Sequence, residues 1–175
     1  LDARCGNNVA AKERVRQVLV HDISDQYAVS RLMDYCDTLD ERVAALDWIL
    51  SELRRQPITG DVLLSYREQA QAILPEETIL EAVREAVEHR GDLWPAHQAL
   101  IRQLIHMQRL DEARQAVETA LQLFPLEPMT WYEQYQVAQA MGDSELQQAA
   151  LEQCRVLRPN SATVNRALSE LLCAA

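Results

Sequence analysis

The sequence contains few residues that break helices and few positive charges. Only 4 of the 175 residues are glycine, one is phenylalanine, and Lys12 is the single lysine among 17 basic residues. With 27 acidic residues, the net charge is −10. Because nucleic acids and anionic lipid head groups bind through clustered cations, this balance argues against either as a partner. No run of eighteen apolar residues occurs, so the sequence offers no candidate membrane span.

Motifs for metal binding and catalysis are also missing. The four cysteines, Cys5, Cys36, Cys154 and Cys173, form no CxxC pair, and no histidine stands at zinc-ligand spacing from them. There is no HExxH, no GxSxG and no glycine-rich phosphate loop. We therefore predict a non-enzymatic protein without metal or cofactor. The cysteine pattern favours a reducing compartment and hence a cytoplasmic location, while oxidation of Cys5 and a membrane anchor upstream of Leu1 stay open.

The sequence is rich in helix-forming residues arranged in a repeated pattern. Ala, Leu, Gln, Glu and Arg dominate, and hydrophobic residues make up 48%. Between residues 94 and 125, apolar residues recur at helical spacing on both sides of a short polar turn, which predicts an antiparallel helix pair. Pro57, Pro125 and Pro159 are separated by 68 and 34 residues, with Gly91 at the missing position. A period of 34 residues predicts repeated helix pairs.

This period divides the chain into an N-terminal helix and an array. Residues 1–25 hold the N-terminal helix, which fits the second half of a truncated repeat, and residues 26–175 hold the array. The predicted repeats and the final helix are 26–59, 60–93, 94–127, 128–161 and 162–174. The final helix is unpaired, and an array of repeats needs such a cap to shield its last apolar face.

The ends of the helices are predicted from polar caps and from glycine. Thr38 or Asp40 can accept hydrogen bonds from the free N–H groups of the helix that follows. Gly91 is predicted to end its helix in the left-handed conformation, and residues 142–144 to form a turn and a cap. Residues 1–8 contain Cys-Gly-Asn-Asn and are predicted to be a turn-like, frayed start.

The pattern resembles the tetratricopeptide repeat family, whose 34-residue unit reads Trp-x2-Leu-Gly-x2-Tyr, then Ala-x3-Phe, then Pro. The third repeat gives His97-x2-Leu100-Ile101-x2-Leu104, Ala113-x3-Val117 and Pro125. Size and polarity match better than identity, and a larger residue replaces the family's small glycine in every repeat: Met33, Arg67, Ile101 and Tyr135. The resemblance implies an all-α fold, a right-handed superhelical solenoid of antiparallel helix pairs with a C-terminal capping helix.

In this family the first helix of each repeat lines a concave groove that holds an extended peptide or a partner helix. The resemblance therefore implies a partner-binding groove made from Tyr27, Asp34, Glu68, Gln98, Arg102, His106, Tyr132 and Gln136. Glu133 maps to the same face. The groove is predicted to be acidic towards the N-terminus and mixed towards the C-terminus, which fits a basic or amphipathic segment of another protein.

These inferences predict a protein–protein interaction scaffold, as a module of a larger bacterial envelope assembly such as a secretion, pilus or exopolysaccharide machine. Two alternatives stay open: a chaperone-like holder of a secreted subunit, and a regulatory or targeting domain of a larger enzyme. A homodimer through an exposed Trp48, the N-terminal edge or Leu171 and Leu172 also stays open. The sequence does not identify the partner.

Overall fold

The computed structural model describes residues 2–56 and 62–174, except for the side chains of residues 2–7, 172 and 174. Every regular element in this part of the chain is a helix: α1 (Asp2–His21), α2 (Gln26–Asp34), α3 (Leu39–Arg55), α4 (Val62–Ala70), α5 (Glu76–His89), α6 (Trp94–His106), α7 (Leu110–Leu123), α8 (Pro128–Met141), α9 (Ser144–Leu157) and α10 (Ala162–Ala174). The predicted all-α class is confirmed. The predicted stop at Pro57 and the boundary at residues 59–60 lie outside the described residues, and the repeat boundaries stay predictions.

The helices form two compact units, Leu1–Ala99 and Leu100–Ala175. In the N-terminal unit, α2 packs against α1, α3 and α4, and α4 also packs against α3 and α5. Its core is built from aliphatic residues and one tyrosine that are almost fully buried: Leu19, Ile23, Val29, Leu32, Leu46, Ile49, Leu63, Tyr66, Ile79 and Leu80. Removing this apolar surface from water is the main force that holds the helices together.

In the C-terminal unit, α8 packs against α7 and α9, and α9 packs against α10. One apolar cluster joins three of these helices, namely Tyr135, Ala150, Leu151, Cys154, Val164, Ala167 and Leu168, with Trp131, Tyr132 and Leu171 packed against it. Burial raises the pKa of the Cys154 thiol to about 12, so this thiol packs as a small neutral side chain. Because Leu171 is part-buried on the cluster, it offers less surface to a dimer than its sequence position suggests.

Two of the predicted helix ends are confirmed. The Thr38 hydroxyl accepts a hydrogen bond from the Glu41 N–H at 3.2 Å and caps α3. Gly142 ends α8 with φ of 75°, and Asp143 then caps α9 by accepting from the Leu146 N–H at 3.0 Å. Both caps satisfy backbone donors that have no partner inside the helix.

The prediction of a left-handed Gly91 is wrong. Among the described residues, the positive φ values belong to Gly142 and to Gln108, whose φ is 57°. The chain leaves α5 through Arg90 instead, with φ of −137° and a backbone hydrogen bond to Ala86. Since this exit needs no left-handed residue, glycine is not required at position 91 for its backbone freedom.

The prediction of a turn-like start is also wrong, because α1 begins at Asp2. The Asn8 amide donates to both carboxylate oxygens of Asp37, at 3.1 and 3.2 Å, and Lys12 pairs with Glu41 at 2.7 Å. These contacts tie α1 to the turn after α2 and to the start of α3. Tertiary contacts of this kind outweigh the low helix propensity of Gly and Asn.

Candidate partner-binding faces

In the N-terminal unit, α2 presents an exposed aromatic and charged group. The Tyr27 side chain is 68% exposed, and the Arg31 guanidinium lies over its ring, 5.1 Å from the ring centroid. Arg31 also donates through Nε to the Tyr27 hydroxyl at 2.8 Å and pairs with Asp34 at 3.4 Å. Arg31 therefore offsets the charge of Asp34, while Glu68 on the neighbouring α4 is exposed. This face is less acidic than the sequence predicts.

The sequence mapping missed Arg31. Its signal is local, because Arg31 stands four residues after Tyr27 and three before Asp34, the spacings at which side chains on one helix meet. The pairs are solvent-exposed, so their contribution to stability is small. Their consequence is geometric: the tyrosine ring is held under a cation before any partner arrives.

In the C-terminal unit, α6 and α8 are joined by an ion pair with one fully buried member. Arg102 donates through Nε and Nη2 to the same oxygen of Glu133, both at 2.9 Å. The Glu133 side chain is 0% exposed, whereas that of Arg102 is 34% exposed. A buried carboxylate is tolerated only when it is paired, so Glu133 fixes the guanidinium at the border between the interior and solvent.

Tyr132 lies next to this pair on α8. Its ring is half-buried against the apolar cluster, 5.5 Å from the Tyr135 ring centroid and tilted by 46°. Burial raises the pKa of the Tyr132 hydroxyl, and the positive charge of Arg102 acts in the opposite direction, so Arg102 lies within electrostatic reach of the phenol. We call the surface made by Arg102, Tyr132 and Gln136 the α8 face, with Glu133 buried beneath it.

The remaining predicted groove residues differ in exposure. Gln136 is half-buried and His106 is exposed, but Gln98 is only 5% exposed and offers almost no surface to a partner. Glu133, mapped to the groove surface, is fully buried. Helical periodicity tells which residues share a face of their own helix, but a neighbouring helix decides how much of that face stays open.

The described residues show no metal centre and no membrane span. No group of three or more His, Cys, Asp or Glu side chains among them could hold a metal ion. No helix in this part of the chain combines the length and the hydropathy that crossing a bilayer requires.

The helices of this chain have the fold of the tetratricopeptide repeat proteins. No family model and no curated protein sequence matches the chain. Among solved structures it resembles YrrB, described as a TPR protein with an unusual peptide-binding site, over 93% of this chain and 84% of YrrB, with a TM-score of 0.59 and 16% identity.

Two other solved structures agree with this fold. BtubC (BKLC) from P. vanneervenii matches over 99% of this chain and 83% of its own, with a TM-score of 0.66 and 10% identity. MamA matches over 80% of this chain and 85% of its own, with a TM-score of 0.58 and 16% identity. At these identities the likeness confirms the predicted fold and says nothing about a shared partner.

Proposed function

We propose that this chain is an interaction scaffold that binds a peptide segment of another protein on the α8 face. The observation that carries the proposal is the guanidinium of Arg102, held by the fully buried Glu133 beside the half-buried ring of Tyr132. Arginine and tyrosine dominate the binding energy of many protein interfaces. A guanidinium that is already fixed loses less conformational entropy on binding than a free one.

The face of α2 and α4 in the N-terminal unit would favour basic groups of the partner. Asp34 and Glu68 are both exposed there, and Arg31 offsets part of that charge. Electrostatic complementarity of this kind selects among partners and speeds their encounter more than it raises affinity. The peptide-binding site named for YrrB supports a peptide as the ligand class, through a shared fold alone.

A displayed peptide library provides the test. Peptides are selected on the wild-type chain, and their affinities are measured for Arg102→Lys and Tyr132→Leu. Lysine keeps a positive charge beside Glu133 but lacks the planar fork, and leucine keeps an apolar side chain on the cluster. Each change should weaken binding about tenfold, equivalent to about 1.4 kcal/mol. Arg155→Lys, at an exposed position of α9, is the matched control and should leave affinity unchanged.

Circular dichroism must first show equal helicity and equal melting for all variants. The proposal fails if no peptide is enriched, or if the selected peptides bind both α8-face variants as tightly as the wild type. Nuclear magnetic resonance shifts confined to residues outside the α8 face would refute the location of the site while leaving peptide binding intact.

The finer predictions about context stay predictions. Membership of a bacterial envelope assembly would require that the captured peptide belong to a component of such a machine. A partner that remains soluble only when co-expressed with this chain would favour the chaperone alternative. Catalytic activity in a longer polypeptide would favour the regulatory-domain alternative, and a sedimentation mass of two chains would support the homodimer.

A further inference from the structure

Two clefts in the N-terminal unit lie between α1 and α3. One has a volume of about 400 Å³ and the other about 280 Å³. The α1 side of the clefts is a stripe at helical spacing, Val9, Lys12, Glu13, Arg16, Gln17, Val20 and His21, and the α3 side includes Glu41, Ala44 and Trp48. Arg16 and Glu13 line both clefts, so the clefts meet at these two side chains.

Among the described residues, Arg16 has no anionic partner. Its guanidinium carbon lies 5.3 Å from the centroid of the Trp48 ring, a cation–π contact. Its Nε is buried and makes no hydrogen bond to any described residue. Because Nε is buried, an acceptor from outside could reach the guanidinium only through its terminal nitrogens, and the side chain as a whole is part-exposed.

The other cations that line clefts in this unit are paired. Lys12 pairs with Glu41 at 2.7 Å. A third cavity, of about 340 Å³ between α3 and α5, is lined by Arg54, Arg55 and Arg90, and these pair with Glu85, Glu52 and Asp92. The contrast singles out the cleft at Arg16, because its cation lacks an internal counter-charge among the described residues.

The charges that line the clefts point to the sign of the ligand. Lys12 and Arg16 are the cations there, and Lys12 is already paired with Glu41. Glu13 is the second carboxylate, and its side chain is exposed to solvent, so Arg16 is the part-buried charge that has no counter-charge among the described residues. Val9 and Val20 are 64% and 44% exposed, so apolar surface flanks the cation at both ends of the stripe.

We propose that the clefts between α1 and α3 bind an acidic segment of a partner protein. One carboxylate of the segment accepts hydrogen bonds from the terminal nitrogens of Arg16, and apolar side chains of the segment cover Val9 and Val20. Charge-assisted hydrogen bonds of this type are the strongest that side chains form. This site is separate from the α8 face, and it does not depend on the function proposed for that face.

The test uses two synthetic amphipathic peptides of twelve residues, one built from Glu and Leu and the other with every Glu replaced by Lys. Affinity is measured by fluorescence polarisation. The binding site is located by fluorine resonances of the chain labelled with 5-fluorotryptophan. The Trp48 resonance is assigned as the one that disappears in Trp48→Phe. The Glu peptide should bind, shift the Trp48 resonance more than those of Trp94 and Trp131, and bind more weakly as salt rises.

Arg16→Gln should weaken binding of the Glu peptide about tenfold, the equivalent of about 1.4 kcal/mol. Arg14→Gln is the matched control: it removes the same charge from the same helix, but Arg14 is exposed and lines neither cleft. If Arg16→Gln loses helicity, Arg16→Lys provides the second variant, since it keeps the charge and lacks the planar guanidinium.

Four outcomes would overturn the proposal. They are equal losses in Arg14→Gln and Arg16→Gln, equal binding of the Lys peptide, a fluorine shift confined to Trp131, and a dimer of this chain that Arg16→Gln dissociates. The last result would make a second copy the occupant of the clefts. Arg102→Lys should not affect binding of the Glu peptide, so failure here is distinguishable from failure at the α8 face.

Discussion

The first and last helices differ in the surface that they leave open. On α10 the exposed positions that can be described are mostly polar or small, Thr163, Asn165, Arg166, Ser169 and Glu170 among them, while its apolar residues Val164, Ala167 and Leu168 are buried. On α1 three valines, Val9, Val18 and Val20, are at least 44% exposed among basic residues. The helix α10 therefore closes its unit as a cap, whereas α1 keeps a surface suited to contact with another protein.

The two units also differ in how they satisfy buried polar groups. In the N-terminal unit the Gln56 amide accepts from the Ile23 N–H and donates to the Leu19 carbonyl and to Glu52, at 3.2, 2.9 and 2.7 Å. One neutral side chain thus joins the ends of α1 and α3. In the C-terminal unit the corresponding role belongs to a charge, the ion pair of Arg102 with Glu133. Removing a neutral side chain and removing the counter-charge of a buried carboxylate should lower the free energy of unfolding by different amounts, which mutations can test.

The largest effect is expected when Arg102 is removed. Arg102→Ala leaves Glu133 buried without its counter-charge and should lower the free energy of unfolding by about 3 kcal/mol, the low end for a buried pair because Arg102 is partly exposed. Adding Glu133→Gln should restore part of this loss. Urea unfolding of the single and double variants provides the measurement, and a loss below about 1 kcal/mol would show that Glu133 is not dependent on this pair.

A smaller loss is expected when the hydrogen bonds of Gln56 are removed. Gln56→Ala removes three hydrogen bonds, of which one is to a carboxylate, and should cost about 1–2 kcal/mol. Hydrogen exchange should accelerate at the C-terminal end of α1 and at Ile23 just after it, because Leu19 and Ile23 lose their partner. Gln153→Ala, at an exposed position of α9, is the control. Equal exchange rates in both variants would contradict a joining role for Gln56.

One glycine in a turn of each unit, Gly142 and Gly91, allows the cost of a side chain in the two turns to be compared. Gly142→Ala places a side chain on a residue with φ of 75° and should cost about 1 kcal/mol, although a Cβ there would meet no atom within 4 Å. Gly91→Ala should cost less, because its Cβ would need the Val87 carbonyl, 3.2 Å away, to shift by only a few tenths of an ångström. Thermal melts of both variants test the order, and the reverse order would refute this account of the two turns.

The smallest expected effect is a loss of stability of the N-terminal unit at acid pH. The hydrogen bond from Arg55 lowers the pKa of Glu52, and that from Lys12 lowers the pKa of Glu41. A carboxylate whose pKa is lowered by folding stabilises the fold above its unfolded pKa, about 4.3, and this contribution is lost as pH falls through the folded value. The urea midpoint should therefore fall as the pH drops below about 4.3.

The pH dependence can be assigned with two variants. Glu52→Gln should make the urea midpoint less sensitive to acid than it is in the wild type. Glu81→Gln removes an exposed carboxylate of α5 and is the control, since Glu81 makes no ion pair with a described residue. A pH dependence that is unchanged in Glu52→Gln would assign the acid sensitivity to other groups.

The local features of the helices could be predicted from the sequence, whereas the exposure of their side chains could not. The caps at Thr38 and Asp143 and the left-handed Gly142 follow from residue types that serve these positions in any helix. The burial of Gln98 does not, because periodicity within α6 says nothing about which of its positions the rest of the chain covers. The helical start of α1 escaped prediction for the same reason, since Asn8 finds its partner at Asp37.

The sequence by itself determined that this protein is an array of helix pairs, because apolar periodicity and caps act within a few residues of one another. Only the tertiary structure decided that Glu133 is buried under Arg102, 31 residues away, and that Arg16 stacks on Trp48 while its Nε bonds to no described residue. Burial and charge compensation depend on neighbouring helices, and the sequence of one helix does not specify which residues will pack against it.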